Sequence, residues 1–97
     1  METIYVGKLI NHVTRELQHS ELPKWMVEGS VRRNFEWVKG QDDHIIDYVA
    51  SGTLEYWGSV GTQKCELTVS GKTEIGAINE LQRVSEHMRV AFAEAGV

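Results

Sequence analysis

The chain has few of the residues that staple, kink or anchor a fold. Its single cysteine, Cys65, excludes an internal disulfide, and a lone thiol suits a reducing compartment, so a cytoplasmic location is expected. Its single proline, Pro23, leaves every other stretch free to run as unbroken helix or strand. No apolar run approaches the roughly 20 residues of a membrane span. The first residues lack the basic, then apolar, then small-residue order of a secretory signal. The net charge of −4 is too mild to draw nucleic acid or anionic lipid to the whole surface, and too mild for a DNA mimic. With 41% hydrophobic and 25% charged residues, the chain has the composition of a globular protein rather than a disordered one. Residues 1–97 are too few for a second core, so one domain is expected.

What is present is periodicity. Ala77, Leu81, Val84, Met88, Ala91 and Ala95 recur with alternating gaps of four and three, and Ile78 and Phe92 widen the stripe. This spacing predicts a helix over 73–95 with one broad buried side, Thr73 as its N-cap and Glu74 at its positive end. The small residues in the stripe point to close packing on a sheet rather than to a coiled-coil seam. A second helix is read over 3–19, with Val6, Leu9, Ile10, Val13 and Leu17 on one face. Ser20–Gly29 reads as a short helical turn carrying Leu22, Trp25 and Met26; the alternative has Pro23 breaking the chain and Trp25 opening an extended segment.

From Ser30 the period changes to two. Residues 30–38 read as a strand, 39–43 as a turn, 45–50 as a second strand, 53–57 as a third and 62–70 as a fourth. For 43–50 a short helix ended by Gly52 is the rival reading. Ser51-Gly52 and Gly58–Gly61 are read as bends or turns. Cys65, Leu67 and Val69 form the dry face of the last strand, on which the C-terminal helix packs. The short connections favour antiparallel pairing. The expected fold is a two-layer α+β domain with an N-terminal helix, a three- to four-stranded antiparallel sheet and a long C-terminal helix on the sheet.

Four patterns bear on chemistry. Ser70-Gly71-Lys72-Thr73 lies between strand and helix as the end of a phosphate-binding loop would, but the full motif needs glycine where Glu66 stands, and a turn plus helix cap explains the same residues. Asp42, Asp43, His44 and Asp47 bring hard-cation ligands close in sequence, but a polar turn explains them as well. His12 and His19 lie two turns apart on the N-terminal helix, about 10 Å, too far to share an ion. Cys65 on a dry face reads as a small core residue, and no serine lies in a nucleophile elbow. No cofactor, metal or catalytic group is assigned, and the chain is read as a non-enzyme.

The more informative pattern is aromatic. Trp25, Phe35, Trp37, Tyr48, Tyr56 and Trp57 crowd into 25–57, and one helix layer covers only one face of a sheet. Exposed aromatics on a sheet are what protein interfaces favour; the alternative is that both helices are used and the rings are core. The expected function is therefore that of a small accessory, adaptor or inhibitor protein, of a kind common in bacteria and phages. It would bind another protein, or itself as a homodimer, through Phe35, Trp37, Tyr56 and Trp57, with Arg32 and Arg33 at the rim. The alternative is a nucleic-acid-binding regulator using the Arg32-Arg33 strand. Trp25, Glu28, Gly29 and Val31 also resemble the Trp-x-x-Glu-Gly-x-hydrophobic segment of winged-helix phage excisionases, over less than a tenth of the chain, and the basic, proline-rich wing that should follow is absent.

Overall fold

The computed structural model describes residues 8–38 and 44–97, and the turn expected at 39–43 lies outside them. Four strands form one meander in chain order: β1 (Lys8–Glu16), β2 (Met26–Val38), β3 (His44–Gly58) and β4 (Gly61–Gly71), followed by helix α1 (Glu74–Ala95). Every neighbouring pair is antiparallel. The helix lies across β3 and β4, with β2 at its margin.

Of the N-terminal helix expected over 3–19, residues 3–7 lie outside the described residues, and over residues 8–19 no α-helix forms. Residues 8–16 are strand β1, paired with β2 from Lys8 opposite Val38 to Glu16 opposite Ser30. The misreading has a simple cause. Positions 9, 13 and 17 are spaced by four, an even number, so they share one face of a strand as well as one face of a helix. Ile10, Val13 and Thr14 then favour the strand, because a β-branched side chain suits a pleated, paired surface. His12 and His19 are accordingly on a strand and on a 3-10 turn (His19–Glu21), not on one helix. Of the helical segment expected in 20–29, that 3-10 turn forms before Pro23, and a single turn closed by the Met26 amide on the Pro23 carbonyl at 3.0 Å follows it. Extended chain begins at Met26.

Residues 45–50 are strand, not helix, and there is no bend at Ser51-Gly52: β3 runs through both, with Gly52 paired to Gly29 of β2 and to Leu67 of β4. The second and third strands read from the sequence are thus one. The turn before β4 is real: Ser59 and Val60 link the paired Gly58 and Gly61, and Gly61 has φ 115°, a conformation glycine adopts without penalty. At the other end of β4, Thr73 caps α1, its hydroxyl accepting from the Gly76 amide at 2.9 Å. Its hydroxyl therefore serves the cap role of the plainer reading. Beside it, a Cβ on Gly71 would lie 2.8 Å from the Ala77 amide nitrogen, so the absent side chain lets the helix start close against the sheet.

The core lies under the helix. Leu17, Met26, Val31 and Ala50 from the sheet side meet Ala77, Ile78 and Leu81 of α1, with Leu67 and Val69 partly buried against them, and Leu54 is likewise sealed from water. Burial fades along the helix: Val84 and Met88 are half-buried, and Ala91 and Ala95 are exposed. Ser85 takes the fully buried place one residue past the expected Val84. The fold is elongated, 63 × 26 × 18 Å, with a radius of gyration of 17.7 Å, against about 13 Å for a compact 100-residue domain. The 15 residues of β3, at about 3.4 Å each, account for most of that length.

Candidate functional site

Alternation divides the sheet into two unlike faces. Away from the helix, the cross-strand rows read Thr14–Arg32–Val49–Ser70, Glu16–Ser30–Ser51–Thr68, Glu28–Thr53–Glu66, Glu55–Lys64 and Trp57–Thr62. This is a wet face of hydroxyls and acids, as one side of an antiparallel sheet allows. It holds an open hollow of about 370 Å³ ringed by Glu16, Glu28 and Glu66 around Ser30, Ser51 and Thr68. The Ser51 and Thr68 hydroxyls are 3.3 Å apart, and Asn34 donates to Asp47 at 2.7 Å.

The helix side is unevenly covered. A 22-residue helix is about 33 Å long, roughly half the 63 Å axis. It starts beside Gly71, which pairs with Tyr48, and ends where Phe92 meets Tyr56, ring centroids 5.5 Å apart. Strands β1, β2 and β3 continue past Tyr48, and among the described residues no helix lies over them. The rows there are Val13–Arg33–Tyr48 and Asn11–Phe35–Ile45. Val13 is 51% exposed and Ile45 47%, while Phe35 is half-buried with the Arg33 guanidinium 5.9 Å from its ring centroid. A β-bulge between Asn34 and Phe35 sets two β3 residues, Ile45 and Ile46, where one would fit, and Ile46 too is exposed.

The six residues proposed from the sequence are therefore not one surface. Phe35 and Arg33 lie at the helix-free end. Trp37 continues the same strand opposite Leu9; of its side chain nothing further is described. Tyr56 is at the far end of β3, half-buried against Phe92, with ten residues between it and Ile45; that separation is about 37 Å along the strand. Trp57 points to the opposite face, is 76% exposed and donates to Glu55 at 3.0 Å. Arg32 lies on the wet face, opposite in direction to Arg33.

A second cluster had no clear signal in the sequence. The Trp25 indole donates to the Ser85 hydroxyl at 2.9 Å, Ser85 donates to the Gln82 carbonyl at 2.8 Å, and the Arg89 guanidinium stacks 4.5 Å over the Trp25 ring. Gln82 donates to the Glu21 carbonyl at 2.6 Å. Together they clamp the 3-10 turn to the helix. Nearby, Arg15 forks onto Glu21 with two 3.0 Å bonds and reaches Glu74 at 3.0 Å. That contact, with the Gln18 amide, holds the Glu21 carboxyl below its ordinary range. Arg83 does the same for Glu80 one turn along the helix surface. A polar serine inside an apolar stripe is the one hint the sequence offers, because a buried hydroxyl needs a partner.

Among the described residues no three potential metal ligands come together. Asp42 and Asp43 lie outside those residues. Cys65 is half-buried on the helix side, its thiol 3.9 Å from the Glu66 carbonyl. No helix is long and apolar enough to cross a membrane. Comparison with known proteins returns no match to any family model, curated protein or solved structure.

Proposed function

We propose that this chain is a small non-enzymatic accessory protein that binds another protein through the helix-free end of its sheet. The observation that supports this is the mismatch in length between sheet and helix. About half of the sheet's helix side is roofed by α1, and the other half presents Val13, Ile45 and Phe35 with Arg33 beside the ring. Aromatic and Arg side chains among apolar neighbours are the composition of interface centres. Of the aromatic residues first singled out, Phe35 and Trp37 belong to this end. Tyr56 is engaged by Phe92, and Trp57 stands alone on the other face, where single exposed apolar residues are ordinary. The nucleic-acid alternative has less support, since Arg32 and Arg33 point to opposite faces and the face of Arg32 also carries Glu16, Glu28, Glu55 and Glu66.

The test is affinity capture from the native host with tagged wild-type protein, a Phe35→Ala/Ile45→Ser variant and a Trp57→Ala control. A partner retained by Trp57→Ala and depleted at least tenfold by the double variant is expected. A partner that ignores the double variant overturns the proposed surface. Salt-sensitive binding to nucleic acid would favour the alternative.

A further inference from the structure

The helix-free end of the sheet has the dimensions of one more helix. β1, β2 and β3 lie side by side there. Two spacings of about 4.8 Å between strands make a floor about 10 Å wide, and a single helix is about 10–12 Å across. Past Arg33, β2 runs on to Val38, a length of about 17 Å or about three helical turns. The other half of the same face shows how this sheet is covered: α1 lies over β3 and β4, with Ala77, Ile78 and Leu81 in the core. A helix can cover a face because its backbone groups are paired internally. A lone extended segment laid on the face would bury unpaired N–H and C=O groups.

The charge at this end is one-sided. The rows Val13–Arg33–Tyr48 and Asn11–Phe35–Ile45 contain no Asp or Glu, and Arg33 is the only charged residue in them. Its guanidinium stands 5.9 Å from the Phe35 ring centroid, and among the described residues no carboxylate pairs with it. Other arginines differ: Arg15 holds Glu21 and Glu74 at 3.0 Å, and Arg83 holds Glu80 at 2.6 Å. An occupant that covers Phe35 takes Arg33 partly out of water, and the lost hydration must be replaced by a carboxylate.

We propose that the occupant of this end is an amphipathic helix of another protein, with an apolar stripe of about three turns and an Asp or Glu set to meet Arg33. This rests on the reading of the helix-free end as a protein-binding surface, and adds the shape and charge of what binds there. The incoming helix extends the layer that α1 begins. Its apolar residues at i, i+3 or i+4 and i+7 lie over Val13, Phe35 and Ile45, and its carboxylate takes the Arg33 guanidinium as a fork.

The experiment is selection from a phage-displayed library of random peptides, about 16 residues long, against the immobilised protein, followed by fluorescence anisotropy on synthetic copies of the best binders. The enriched peptides should carry apolar residues at helical spacing with an acid on the same side, and should gain helical circular dichroism on binding. Phe35→Ala/Ile45→Ser and Arg33→Glu should each weaken them at least tenfold. Changing the peptide's acid to lysine should weaken binding to wild type and restore it to Arg33→Glu. If Arg33→Glu fails to fold, the lysine change still reads the contact on wild-type protein. No enriched peptide, a period of two in the enriched set, or binders indifferent to both charge changes overturns the acidic helix. If such binders still need Phe35 and Ile45, the partner surface stands without it. Binders indifferent to Phe35→Ala/Ile45→Ser overturn both.

Discussion

The two halves of the sheet use the same strands for different ends. Under α1, small residues set the spacing: Ala50, Ala77 and Gly71 let helix and sheet approach until Leu54 and Leu81 are sealed from water. Past Tyr48 the same strands carry Val13, Phe35 and Ile45, over which none of the described elements lies. Burial of apolar area stabilises only where a second layer exists. The covered half therefore bears most of the stability, and the helix-free half contributes less to it. The difference teaches that an apolar strand residue is not a core residue until its cover is identified.

The largest expected effect separates the halves by stability. Leu54→Ala should cost about 2–5 kcal/mol, a leucine truncation at a site with no exposure. Ile45→Ala, equally apolar but half open to water, should cost less than about 1 kcal/mol. Thermal unfolding of the two variants checks this, since about 1 kcal/mol moves the midpoint of a domain this size by roughly 4–8 °C. Equal losses would show that the helix-free end is core.

A smaller effect probes the clamp at the edge of the covered half. Ser85→Ala removes the acceptor of the Trp25 indole and should cost about 1 kcal/mol net, the unpaired N–H being partly offset by alanine's better helix propensity. Trp25 fluorescence should change with it, while the wet face should not respond.

The smallest effect is electrostatic. The Glu21 carboxyl is held below its ordinary range by Arg15 and the Gln18 amide, so its ionised form contributes stability at neutral pH. That contribution is lost as pH falls from about 4.3, the unfolded value, through the lower folded one. Glu21→Gln should therefore unfold slightly earlier than wild type at pH 7, with the gap closing towards pH 3. A gap that does not change with pH would rule out the ion pair as its source. The pair is exposed, so the effect should also shrink in salt.

Much of the covered half was legible in the sequence. The helix, its Thr73 cap and the alternation of Cys65, Leu67 and Val69 all follow from unambiguous periods and are found as read. The first strand was not legible, because a spacing of four satisfies both periods and only pairing with β2 decides between them. Ser51-Gly52 looked like a bend from composition alone. Yet Gly52 sits inside a long strand because a side chain there would meet Met26 and the Glu28 carbonyl. The site was legible as an aromatic surplus, not as a surface. Tyr56 and Trp57 had to diverge, but which of them α1 would cover depends on where the helix ends, and no local pattern carries that length relation.

The most direct test of the division is residue-resolved amide exchange on the isolated protein. The slowest exchange is expected in β3 from Tyr48 to Trp57, in β4, and in α1 from Ala77 to Ser85, with markedly faster exchange in β3 from His44 to Asp47. Uniform protection along the whole of β3 would contradict the division into a core half and a helix-free half.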